Sequence, residues 1–203
     1  MKKTETIIPK IIIPPADFKT ITVGIKNYPT STLIMNNFSK SAGQAIKDTQ
    51  LNKPKKKCPK DPVKVFEESQ YKTPSGKLGV PGVAIKASMI RAAKIAGENM
   101  TDMKVGFHVV GGVIPFTKNS KPIAREDFLS LPKGGRDWKI RTEIVDWELR
   151  ITITYNNNFI SADQLANLLS LAGFHCGLLD NRPNSPKCSG THGMFLMSNK
   201  KSK

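Results

Sequence analysis

Acidic residues are scarce in this 203-residue chain: 16 Asp and Glu stand against 32 Lys and Arg, a formal net charge of +16. An excess of that size points to a polyanionic partner, nucleic acid or an anionic membrane surface. Cysteine is scarce too. Cys58, Cys176 and Cys188 are an odd number without dense spacing, which excludes a disulfide framework and fits free thiols in a reducing compartment. No window of eighteen apolar residues exists, so no span of a bilayer is expected. The apolar run Ile11–Ile13 is broken up by Pro9, Lys10, Pro14 and Pro15, which argues against a secretory signal. There is no P-loop, no dinucleotide-binding glycine motif and no G-x-S-x-G elbow. No cofactor is expected, and no catalytic set is assigned.

What is present reads as one large domain or two small ones, long enough to bury a core. Residues 1 to 19 carry three prolines and read as an extended arm. Thr20 to Tyr28 alternates, with Ile21, Val23 and Ile25 on one face, as a half-buried strand does. Ser31 to Phe38 reads as a short strand or a loop entry. From Ser39 to Lys77 the apolar period fades into a lysine-rich insertion. It holds one short helix near Asp61–Tyr71, capped by Asp61 with Pro62 at its first position.

A Pro81-Gly82 turn then opens a central helix, about Val83 to Ala96, stopped by Gly97. Ile85, Met89, Ala92 and Ala96 share its buried stripe; Lys86, Arg91 and Lys94 lie on another side. Met103 to Phe116 reads as strand, 117 to 137 as loop, and Trp138 to Tyr155 as strong β structure with a kink or hairpin near Asp146. Trp147, Leu149, Ile151, Ile153 and Tyr155 share its apolar face. Ser161 and Gln164 form a capping box for a helix that buries Leu165, Leu168, Leu169 and Ala172 and ends at Gly173. Phe174 to Leu179 and Met194 to Met197 read as strands, and the tail is basic.

The order is strand, insertion, helix, two strands, helix, strand. That predicts an α+β, ferredoxin-like (βαββαβ) core from residues 1–38 and 78–197, a thumb-like basic insertion at 39–77 and a basic tail at 198–203.

The candidate ligands for a polyanion follow from charge and position. Lys53, Lys55, Lys56, Lys57 and Lys60 fall within eight residues with no acid among them, a pattern suited to phosphate neutralisation or to a solvated loop. Lys86 sits near a helix N-terminus, where backbone N–H groups already favour an anion. Arg91 and Lys94 either extend that track or form the wet side of the helix. Arg136, Trp138, Lys139 and Arg141 interleave an aromatic with cations, and Arg182 and Lys187 are basic positions in a Pro- and Gly-rich C-terminal loop. Few aromatics could stack on bases, so the pattern suits backbone tracking with loose sequence preference. Cys176, Cys188 and His192, with His175 nearby, are the only set of zinc-like ligand types, but their spacing lacks a knuckle and no metal is assigned.

The stretch Val80-Pro81-Gly82-Val83-Ala84-Ile85-Lys86-Ala87-Ser88-Met89-Ile90-Arg91, following a long insertion, resembles the I-P-G-S-S-[LI]-K-G-x-[LM]-R turn and helix of the backbone subunits of CRISPR effector complexes, in the RAMP superfamily. Val83, Ala84 and Ala87 depart from that pattern. Ser189-Gly190-Thr191-His192-Gly193-Met194-Phe195 weakly resembles the family's glycine-rich loop. Parts of the C-terminal half also resemble phage-encoded proteins of unassigned role.

The resemblance implies a ferredoxin-like core and a non-catalytic protein that binds single-stranded RNA or DNA, as an oligomer or within a ribonucleoprotein complex. It implies a cytoplasmic location in a prokaryotic cell, with phage encoding as a variant, and no membrane partner. Two other readings stay open: a phage or viral protein–protein assembly factor with a basic surface, and a RAMP-type endoribonuclease.

Overall fold

The computed structural model describes residues 15–54, 59–130, 134–186 and 189–198. Its centre is a four-stranded antiparallel sheet. β1 (Phe18–Asn27) and β8 (Glu148–Asn156) are the inner strands; β4 (Phe107–Val109) and β9 (Phe195–Ser198) are the edges, in the order β4-β8-β1-β9. Strand β1 pairs with β8 over nine residues, from Phe18↔Asn156 to Lys26↔Glu148. The alternation in both strands sets which face is buried. Ile25, Leu149, Ile151, Ile153 and Tyr155 turn inward. On the outer face the hydroxyls of Thr20 and Thr154, and of Thr22 and Thr152, sit 3.2 Å apart.

Two helices cover the inner face. Helix α3 (Gly82–Ile95) buries Ile85, Met89, Ala92 and Ala93. Helix α5 (Ala162–Leu171) buries Leu165, Leu168 and Leu169. The Ser161–Gln164 capping box that starts α5 is fully formed. Alanines on α3 let the two helices and the sheet approach closely. Phe107, Trp147 and Phe195 fill the rest of a single core.

A second sheet, in the order β2-β7-β6, joins β2 (Leu33–Met35), β7 (Arg136–Ile144) and β6 (Ile123–Ser130). A small pair, β3 (Gly79–Pro81) with β5 (Val113–Pro115), precedes and follows α3 and its successor α4 (Met100–Gly106). Helices α1 (Lys40–Gln50) and α2 (Pro62–Glu68) occupy the lysine-rich segment. Asp61 caps α2 with Pro62 at its start, and the helix packs on β7. Helix α1 buries no side chain.

Five local expectations need correction. Residues 39–50 contain a helix, started by Ser39, whose side chain accepts from Ala42 N at 3.0 Å. Met103–Gly106 is helix, not strand: Asn99 accepts from Thr101 N at 2.8 Å and commits the chain to a turn, which leaves Val105 71% exposed. The loop expected at 117–137 holds β6, whose part-buried positions are Arg125 and Asp127, in ion pairs, and Leu129, so a single apolar residue is too little to mark a period. Gly173 does not end α5. The chain continues as a π-helical turn, Ala172–Cys176, in place of the expected strand at 174–179, and Gly177 at φ 64° breaks it. The bend near Asp146 is no hairpin, because β7 and β8 lie in different sheets.

The arm at Ile11–Ile13, Cys58 and most of the basic tail lie outside the described residues. No helix among the described residues is long and apolar enough to cross a membrane.

Candidate nucleic-acid interface

The resemblance-bearing stretch forms one wall of a groove of about 580 Å³. Pro81 ends β3 instead of forming a free turn, and Gly82 begins α3 with its N–H donating to Gly112 O at 2.7 Å. A Cβ at Gly82 would fall 2.5 Å from the Gly111 carbonyl oxygen, so the close crossing of these two loops requires glycine there. No side chain caps α3. Its first turn, with Val83 76% exposed, opens onto the groove, and Ala87, Ser88 and Arg91 continue the wall. A helix start of this kind carries partial positive charge and N–H groups without helical partners.

The facing wall is the loop after the π-helical turn. Gly177, Leu179 and Asn181 all lie in the left-handed region, at φ 64°, 59° and 51°. For a branched residue such as Leu179 that conformation costs roughly 1–2 kcal/mol. Three backbone bonds hold it: Leu178 N to Gly193 O at 2.9 Å, Asp180 N to Ile34 O at 3.2 Å, and His192 N to Asn181 O at 3.2 Å. Arg182 enters the groove from this loop while its guanidinium donates to the Leu179 carbonyl. Cys176, in the π-helical turn, is buried; burial pushes its thiol up, and the charges of Arg91 and Arg182 oppose that shift.

The lining is not wholly basic: Tyr71 and Asn36 belong to it, as does Asp180 from the same loop as Arg182. Asp180 Oδ2 accepts from Arg141 at 2.7 Å and from Asn36 Nδ2 at 3.1 Å. Burial raises the Tyr71 phenol, and the Asp180 charge adds to the rise, so the hydroxyl keeps its proton.

The remaining candidates fall into other places. Lys94 shares a shallow depression with Arg91 and Asn184, just beyond the groove. Lys86 does not line it. Its Nζ lies 3.0 Å from His108 Nδ1 on edge strand β4, with the imidazole accepting, and burial lowers the lysine. The 140° between Lys86 and Arg91 on a helical wheel thus puts them on different surfaces. Lys53 lies 3.5 Å from Asp48. Lys60 donates to Asp137 at 2.9 Å and to the Trp138 carbonyl, tying the insertion to β7. Trp138 donates its indole N–H to Glu126 at 3.0 Å, and Arg136 and Lys139 flank it on the same strand.

Arg141 is a candidate whose charge is fully committed. Its side chain is 3% exposed and bonds to Asp127 at 2.6 Å and Asp180 at 2.7 Å. Burial alone would lower its pKa and raise that of Asp127. The mutual ion pairs outweigh burial, raising Arg141 and holding Asp127 below the ordinary carboxylate range. Arg125 joins through Asp127 and Glu143. His192 lies 2.9 Å from the Thr32 hydroxyl, which donates to Glu143, and burial lowers the imidazole. Cys188, Lys55, Lys56, Lys57 and Lys187 lie outside the described residues. Among the described residues no group of three or more His, Cys, Asp or Glu could hold a metal ion.

The groove therefore gathers Arg91 and Arg182, with Lys94 adjacent; of the other described candidates, none lines it. Asn36, Ser88 and Asp180 went unmarked as groove residues because single polar residues next to apolar runs carry no periodic signal.

No family model matches the chain, and no curated protein matches it in sequence. Among solved structures, the crystal structure of Cmr6 from Pyrococcus furiosus resembles it over 90% of this chain and 99% of that one, with 11% identity and a TM-score of 0.47. That likeness is distant, and no residue role is taken from it.

Proposed function

We propose that this protein is a non-catalytic nucleic-acid-binding module that holds the backbone of a single strand, RNA in preference to DNA, in the groove between α3 and the loop at 177–182. The observation that carries the reading is the convergence of Arg91 and Arg182 on one groove of about 580 Å³ beside an uncapped helix start, in a chain of net charge +16. Lys94 extends the track. The preference for RNA rests on the resemblance of Val80–Arg91 to the RAMP turn and helix.

The ferredoxin-like, RAMP-like core belongs to this proposal. Its support is the chain order β1, α3, β4, β8, α5, β9 with the antiparallel sheet order β4-β8-β1-β9. Residues 39–77 are the thumb. Helix α1 supports self-association: it buries nothing, and Phe38, Ile46 and Leu51 around it are 67%, 50% and 66% exposed. A cytoplasmic, prokaryotic or phage-encoded ribonucleoprotein is the setting this reading fits.

The test is binding of a labelled single-stranded oligonucleotide across a salt series. Log affinity should fall linearly with log salt, with a slope of about −0.7 per phosphate contacted. A flat response overturns the reading.

A further inference from the structure

The groove is electrostatically mixed, and a simple phosphate track would not need that. Arg91 of α3 and Arg182 of the 177–182 loop line it, and so do the carboxylate of Asp180 and the amide of Asn36. A carboxylate repels phosphate, so the backbone of a strand runs against the arginines. What Asp180 can face is the base.

The hydrogen-bonding capacity there is specific. Asp180 Oδ2 is saturated by Arg141 and Asn36. Asp180 Oδ1 has no partner among the described residues, and the side chain is 34% exposed. The Asn36 amide spends an N–H on Asp180, which leaves its carbonyl oxygen as a second acceptor. Arg141, itself buried, fixes the carboxylate in place. Tyr71 supplies a half-buried aromatic wall beside it.

We propose that Asp180 and Asn36 form a base-reading subsite that accepts hydrogen bonds from an exocyclic amine, so that the groove selects amino-bearing bases and discriminates against uracil. The proposal rests on the nucleic-acid reading of the groove and adds the orientation of the strand and its base preference. Cytosine and uracil isolate the effect. They share size and stacking surface, but cytosine presents an N4 amine donor where uracil presents the O4 acceptor. Opposite a fixed carboxylate the first forms a charge-assisted bond, and the second sets two acceptors against each other. Of the other bases, guanine and adenine both carry amines and fall on the favoured side.

The experiment is fluorescence anisotropy at neutral pH with ten-nucleotide oligocytidylate and oligouridylate, on wild type, Asp180→Asn and Asn36→Leu. Wild type should prefer oligocytidylate by about tenfold, the discrimination expected for one well-placed charged acceptor. Asp180→Asn should bring the ratio near one while retaining affinity for oligouridylate. Asn36→Leu lies at an exposed position and should lower the ratio without unfolding the chain; it decides the matter if Asp180→Asn fails to fold. A purely structural role for Asp180 and Asn36 would shift overall affinity or melting temperature but not the ratio. Equal affinity of wild type for both strands, a preference for uridylate, or an unchanged ratio in Asn36→Leu overturns the subsite and leaves the binding groove standing. Failure to bind either strand overturns both.

Discussion

The groove beside α3 and the β6–β7 hairpin are both rich in arginine, yet the two regions use it oppositely. On the hairpin, Arg125 and Arg141 are locked to Asp127, Glu143 and Asp180, and Lys60 is spent on Asp137. In the groove, Arg91 has no carboxylate within salt-bridge distance among the described residues. The hairpin cations neutralise acids and fasten the second sheet to the C-terminal loop, so they serve stability. Arg91 is not spent in this way. A count of basic residues cannot separate the two; only the position of the acids does.

The sharpest way to break this comparison is Arg141→Ala. Removing it leaves the Asp127 and Asp180 carboxylates partly buried and uncompensated, and a loss of about 3–5 kcal/mol in urea unfolding is expected. A loss below about 1 kcal/mol would place Arg141 with the groove arginines instead. Next in size, Leu169→Ala should cost about 2–5 kcal/mol through the cavity it leaves in the core, with no change in the salt slope of binding.

Acid should act through the hairpin. Asp127 is depressed in the folded state, so its contribution is present above the unfolded carboxylate value near pH 4 and is lost as pH falls through the folded value. Stability measured from pH 6 downward should therefore drop below about pH 4, and Arg141→Ala should flatten that drop. The smallest stability effect belongs to α1. Ile46→Ser should change stability by less than about 0.5 kcal/mol because the position is already half exposed, while weakening self-association seen by light scattering.

Much of the central layer could be read from residues alone, for physical reasons. Strands β1 and β8 and helices α3 and α5 are each half-buried, so period and burial coincide. The Asp61 and Ser161 caps are local hydrogen bonds that short motifs record. Strand β6 escaped because its part-buried face is mostly ionic, Arg125 and Asp127 beside a single Leu129. Helix α1 escaped because it buries nothing and has no apolar stripe to show. The strand expected at Phe174–Leu179 turned into a π-helical turn because Gly173 packs against the Phe195 carbonyl, a contact set by a distant strand.

The site divided likewise. Arg91, Lys94 and Arg182 were visible as basic positions. That Lys86 reaches His108 and that Arg141 is buried in carboxylates depended on which strands lie beside them.

The most direct test of the central claim is the salt dependence of single-strand RNA affinity for wild type, Arg91→Ala and Lys60→Ala. The two-region account predicts that Arg91→Ala weakens binding at low salt and reduces the magnitude of the slope by about one phosphate contact, while Lys60→Ala leaves the slope unchanged. Equal slopes for wild type and Arg91→Ala, or a larger change in Lys60→Ala, would contradict it.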